Sequence, residues 1–255
     1  MTDLYSRQIR VEPTSKSLTG VGAFKTAQAA QLILSNSPSS GLGSWSEQNV
    51  VAKQPYNRQQ HLNGNLKPLF THYVIANELT QLFWEANVLY WAKALLTMTY
   101  MFIDCSISKS TTAPDFEIPQ LRFVNAGLTI GYATTFGGGG SWSVNCKAGL
   151  VSMAYLVEEL IPDAKSCVKF IHNGTCRPLP HLDDPAYEIA EFLAFTQHIQ
   201  YIKTGGMAYI SDYQGKFLPV CDCTALTYLV CHRLSFAFNW SSDSHSPVSI
   251  DIHCS

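Results

Sequence analysis

Gly205-Gly206-Met207-Ala208-Tyr209-Ile210-Ser211-Asp212-Tyr213-Gln214-Gly215 is the stretch from which the rest of the chain can be read. A glycine pair precedes the compact apolar run Met207–Ile210, the pattern of a core strand, and the run leads into an acidic turn. Asp212 and Gln214 lie two apart, so on regular extended backbone their side chains point the same way. A carboxylate and an amide carbonyl on one face offer Mg²⁺ hard oxygen ligands beside a phosphate. The other reading of Asp-x-Gln-Gly is an ordinary surface turn.

Outward from that strand, the chain has 255 residues, 46% of them apolar and 14% charged. That is enough to bury a core and lies outside the disordered class. A net charge of −2 gives no electrostatic ground for nucleic acid or an anionic membrane as a partner. The start, MTDLYSRQIR, lacks the apolar core of a signal peptide. No apolar run approaches the roughly 20 residues of a membrane-spanning helix. The eight cysteines include no C-x-x-C pair and read as free thiols in a reducing, intracellular compartment. There the sequons Asn173-Gly174-Thr175 and Asn239-Trp240-Ser241 would meet no glycosylation machinery.

Upstream, Tyr5–Val11 reads as a first strand, and Leu18–Ala27 as strand-like sequence carrying Gly20 and Gly22 in a G-x-G spacing. Such a spacing is either a plain hairpin turn or a turn whose backbone amides approach phosphate oxygens. SNSPSSGLGSWSEQ, residues 35–48, is a Ser/Gly-rich loop. Asn49–Pro55 is a short strand whose Lys53 points either to solvent or into a cleft, where it can grip nucleotide phosphates. Val74–Ile107 carries the strongest helical signal: Leu79, Leu82, Phe83, Ala86, Leu89, Tyr90, Ala94, Leu95, Met98, Met101 and Phe102 recur at three- and four-residue spacing. Its Glu85 is either solvated or the partner of the strand lysine.

A polar loop at 108–117 precedes a strand beginning in Ile118–Ala126, and Gly137–Gly140 is a flexible solvated loop. Leu150–Val157 is a continuous apolar strand running into Glu158 and Glu159, a connector whose Glu158 can meet a nucleotide base. Cys167–Gly174 reads as a strand and turn, and Asp183 or Asp184 caps a helix from about Ala186 to His198. Lys216–Ser255 shows neither a helical period nor neat alternation. A zinc site from Cys221, Cys223, His232, His253 and Cys254 would rest on non-specific spacing.

Taken together, LTGVGAFKTAQ, VVAKQPY, EANVLYWAKALL, IPQLRFVNAGL, KAGLVSMAYLVEELI, VKFIHN, YEIAEFLAFTQH and GGMAYISDYQG resemble the alpha-kinase family of atypical protein serine/threonine kinases, in particular its expanded fungal (mushroom) domains. The resemblance covers about residues 5–215. It implies an α+β, two-lobed fold with an ATP cleft between an N-lobe at about 5–157 and a C-lobe at about 158–215. It further implies transfer of the γ-phosphoryl of MgATP to a protein Ser or Thr. By this resemblance Lys53 holds the ATP phosphates, Glu158 contacts adenine, Asp212 orients or deprotonates the acceptor hydroxyl, and Gln214 binds magnesium with Asp212. Gly20 and Gly22 fall in the family's glycine-bearing hairpin, and His198 matches the first ligand of its structural zinc.

After Gly215 the chain departs from the family: a Thr-Asp-Pro-type segment, a glycine-rich substrate loop and a His-x-Cys-x-x-x-Cys segment do not follow. The C-lobe is therefore expected to be incomplete and the zinc site to lack the partners of His198. Residues 216–255 read as an atypical tail of mis-spliced or disordered sequence, because GGT-AAG-TTT codons for Gly215-Lys216-Phe217 would contain a splice donor. The alternative function is an inactive pseudokinase or truncated remnant that binds a nucleotide or a protein.

Overall fold

The computed structural model describes residues 7–11, 18–22, 24–59, 69–132, 149–161, 167–216 and 227–236. These form an α+β structure of two sheets packed about one long helix. The first sheet contains β1 (Arg7–Val11), β2 (Leu18–Val21), β3 (Lys25–Leu34), β4 (Glu47–Gln59), β5 (Leu69–His72), β7 (Ala126–Tyr132) and β8 (Val151–Glu159). Its order is β1-β3-β4-β8-β7, with β2 added to β3 and β5 to β4, and every pair is antiparallel. The second sheet has the order β6-β11-β10-β9, from β6 (Leu121–Phe123), β9 (Val168–Ile171), β10 (Ala208–Lys216) and β11 (Thr227–Phe236). Only its β6–β11 pair is parallel. Among the described residues, no helix is long and apolar enough to cross a membrane.

The long helix α1 spans Ile75–Lys109, close to the span its periodicity predicts. Leu82, Leu89, Ala92, Leu95 and Leu96 of α1 share one core with Ala154 and Leu156 of β8, Phe123 of β6, Phe170 of β9, and Ile210 and Tyr213 of β10. Leu193 of the second helix, α2 (Tyr187–Lys203), belongs to the same core. The buried arc of α1 differs from the expected one: Phe83, Tyr90 and Met101 are exposed, as are Trp84 and Trp91. A helix apolar on nearly every side contains no single stripe to mark its inner face; the two sheets select it.

The opposite face of the first sheet carries a second cluster, Ala30, Leu32, Leu34, Val50, Ala52 and Val157, against which Leu42 packs. Leu42 comes from the Ser/Gly-rich loop, which folds back over the sheet. Gly43, at φ 83°, lets the loop pass: a Cβ there would lie 2.2 Å from Leu34 Cδ1.

The expected strand in Ile118–Ala126 is divided. Val124 and Asn125 separate β6 from β7, and the chain passes there from the second sheet to the first. The expected boundaries at 157/158 and 215/216 fall inside β8 and β10. Within the tail, Thr227–Phe236 forms β11 and lies between β6 and β10 in the second sheet. Residues 217–226 and 237–255, with Cys221, Cys223, His253 and Cys254, lie outside the described residues, as does the Gly137–Gly140 loop.

Candidate functional site

The β2–β3 hairpin places the G-x-G sequence and a lysine side by side. Gly22 N–H donates to the Lys25 carbonyl (2.8 Å), and the Gly22 carbonyl accepts the Tyr56 hydroxyl (2.6 Å). Across β3 and β4, Lys25 lies opposite Pro55 and Ala27 opposite Lys53. Lys25 and Lys53 are thus diagonal neighbours on one sheet face. Each ammonium has a carboxylate: Lys25 Nζ meets Glu85 Oε2 of α1 at 2.6 Å, and Lys53 Nζ meets Glu158 Oε2 of β8 at 2.5 Å.

Glu85 takes neither of the two roles left open for it, solvated residue or partner of Lys53: it pairs with Lys25, and Lys53 pairs with Glu158. Glu158 opposes Val51 across β4 and β8, which brings its side chain to the face of Lys53, whereas Glu85 projects from α1 toward the hairpin. Lys25 is the residue that motif reading passed over. Its signal was available, since a lysine three residues after the second glycine of a hairpin returns beside the glycine backbone.

Glu158 is the penultimate residue of β8, beside a clamp on Glu159. Arg122 grips Glu159 with both terminal nitrogens (Nη1–Oε2 3.0 Å, Nη2–Oε1 2.6 Å), and Asn125 N–H donates to Oε2 at 2.9 Å. Lys93 donates to Asn125 Oδ1 at 3.3 Å. Burial pushes the Glu159 carboxyl up, but the hydrogen bonds from Arg122 and Asn125 and the Arg122 charge outweigh it and hold it below the usual value. Burial lowers the Lys93 ammonium, with Glu159 opposing.

Behind the lysine face, Glu78 is buried in the first turn of α1. Gln54 Nε2 donates to both of its oxygens (3.3 and 3.2 Å), and His72 Nδ1 lies 3.6 Å away. Burial raises its carboxyl, against Gln54 and His72. A raised folded pKa contributes stability below the ordinary carboxylate value, lost as pH rises through the raised one. Glu78→Gln is therefore expected to raise stability at pH 7 by on the order of 1 kcal/mol, a gain that fades toward pH 4. Urea denaturation at both pH values checks this, and a loss of stability at pH 7 would contradict it.

Asp212 and Gln214 sit in β10, where the pairing with β11 is irregular on both sides of Asp212. Even spacing alone does not decide their faces there. Lys169 brings them together, being the cross-strand neighbour of Gln214 and the ion-pair partner of Asp212 (Nζ–Oδ1 3.1 Å). Asp212 is 7% exposed, and its Oδ1, although close to Lys169, accepts no hydrogen bond. A buried carboxylate oxygen short of donors suits a cation, and the Gln214 carbonyl is the matching hard ligand. Among the described residues, no hydrogen bond or ion pair joins Asp212 to the lysine face.

His198 does not close its helix: α2 continues to Lys203, and His198 is exposed on it. Neither Asp183 nor Asp184 caps the helix as expected: the N-cap is Ala186, without a side-chain cap, and Asp184 Oδ1 accepts the Ala186 N–H (2.8 Å) in the turn before it. Among the described residues, no three His, Cys, Asp or Glu side chains gather as a metal site. Compared with known proteins, the chain matches no family model, no curated protein and no solved structure.

Proposed function

We propose that this chain is an ATP-binding phosphotransfer domain of the alpha-kinase type, acting on a protein Ser or Thr. The observation that carries the reading is the pair of lysines, Lys25 and Lys53, on one sheet face beside the hairpin glycines. Two ammonium groups and exposed glycine backbone are a chemistry suited to a polyphosphate. Glu85 and Glu158 hold both lysines extended, so an incoming phosphate exchanges one anion for another. With Lys53 as its partner, Glu158 lies at the edge of that surface, and the adenine end of the nucleotide is assigned to it.

Asp212 and Gln214 would hold Mg²⁺, which when bound neutralises charge on the phosphates. In the reaction the acceptor hydroxyl oxygen bonds to the γ-phosphorus, the β,γ-bridging P–O bond breaks, and ADP leaves. The hydroxyl proton passes to Asp212, and Lys25 and Lys53 stabilise the charge that develops on the phosphates. Gly20 contributes backbone, the Gly22 N–H being already donated to the Lys25 carbonyl, and His198 is given no role in this reading.

The second reading, a nucleotide-binding remnant without transfer, is favoured by the Lys169–Asp212 ion pair, because the Lys169 ammonium occupies the side of the carboxylate that an acceptor hydroxyl would need. Titration of the full chain with MgATP, followed by phosphate incorporation into a degenerate Ser/Thr peptide mixture, separates the readings. Lys25→Met is expected to weaken MgATP binding about tenfold, corresponding to one charge-assisted contact. A wild-type chain that binds no MgATP overturns both readings; one that binds without transfer leaves the remnant.

A further inference from the structure

Ile210 stands two residues before Asp212, and neither of its backbone hydrogen-bonding groups is left to the sheet alone. Its N–H donates to Gln200 Oε1 at 2.9 Å, and its carbonyl accepts from Gln197 Nε2 at 2.6 Å. Both glutamines belong to α2 and are buried, Gln200 at 0% and Gln197 at 4% exposure. Gln200 Nε2 also donates to the Tyr213 hydroxyl at 3.2 Å, and Thr196 Oγ1 lies 3.0 Å from the same hydroxyl. Tyr213 follows Asp212 directly, so α2 touches β10 on both sides of the aspartate, holding backbone at Ile210 and only a side-chain hydroxyl at Tyr213.

The register breaks between these grips. Ile210 lies opposite Leu234, Asp212 opposite Arg233 and Tyr213 opposite Cys231, so Ser211 on one strand and His232 on the other interrupt the ladder. Ile210 and Tyr213 both enter the core although they stand three positions apart, a spacing that regular alternation forbids. Such an irregularity re-aims a side chain. A buried glutamine hydrogen-bonded to strand backbone is costly to place without a partner and gains nothing from solvent. Here both amides meet the one residue at which the strand leaves its ladder.

We infer that Gln197 and Gln200 are positioning residues, which hold the β10 irregularity open and so aim the Asp212 carboxylate toward Lys169 and Gln214. The inference rests on the phosphotransfer reading for what Asp212 does, but not for where it points. Loss of Gln200 lets residues 210–213 re-register and turns Asp212 away without touching the lysine face.

The test compares wild type, Gln200→Leu and Tyr213→Phe in the full chain, at a temperature where denaturation curves show all three folded. Tyr213→Phe removes the hydroxyl contacts and keeps both bonds to Ile210, which makes it the control for stability loss. Amide hydrogen exchange is expected to speed up at Ile210 and Asp212 in Gln200→Leu by 100-fold or more over Tyr213→Phe. The kcat for phosphoryl transfer is expected to fall at least 30-fold in Gln200→Leu with KM for ATP within threefold of wild type, and to hold within threefold in Tyr213→Phe. Equal exchange in the two variants, or a change in KM in place of kcat, overturns the inference. A wild-type chain that transfers no phosphoryl, with the exchange difference intact, overturns the kinase reading and supports the clamp.

Discussion

Lys53→Ala is expected to cost about 3–5 kcal/mol of folding stability as well as the binding of MgATP. The Lys53 and Glu158 side chains are 18% and 6% exposed and 2.5 Å apart, so alanine would leave a buried carboxylate without its cation. The loss is chiefly the cost of that orphaned charge rather than the net worth of the pair. Lys53→Met combined with Glu158→Leu is accordingly expected to recover most of the stability, because the neighbours Val51 and Leu156 are apolar. Denaturation of the two variants separates folding from function: the double variant folds and still binds no nucleotide. Unchanged phosphoryl transfer by Lys53→Ala would remove Lys53 from the ATP site, and a single variant as stable as wild type would remove the buried-charge account.

Arg122→Ala is expected to destabilise the fold by about 2 kcal/mol at pH 7. The value is set below that of the Lys53 pair because Arg122 is 34% exposed and water screens part of the interaction. Arg122 and Asn125 act where the chain changes sheets between β6 and β7, and Glu159 ties that junction to the end of β8. The folded pKa of Glu159 is depressed, so its contribution is present above the ordinary carboxylate value and is lost as pH falls through the folded value. The cost of Arg122→Ala should shrink between pH 7 and pH 3, opposite in direction to the effect of Glu78. An unchanged cost over that range would show that Arg122 acts through packing of its stem alone.

The two acids teach the same lesson about reading a chain. Glu78 and Glu159 each stand beside apolar sequence, and nothing local tells that burial dominates at one and an arginine at the other. Lys25 shows the converse. Its place beside the Gly22 backbone follows from the β2–β3 turn, although its place beside Lys53 is set by the β3–β4 register. Glu85 was legible as a helix glutamate near a strand lysine, but which lysine depended on how α1 lies across the first sheet.

Spacing and glycine close along the chain wrote the long helix, read at 74–107 and found at Ile75–Lys109, the strands at Lys53, Glu158 and Asp212, and the helix that carries His198. Which side of α1 is buried came from packing, since an apolar helix presents several candidate faces and the sheets choose among them. The tertiary structure also decided that Thr227–Phe236 enters the second sheet and that Asp212 escapes regular alternation. Those outcomes depend on partners far away in the sequence, in β6 and α2, whose hydrogen bonds and packing no local pattern of side chains encodes.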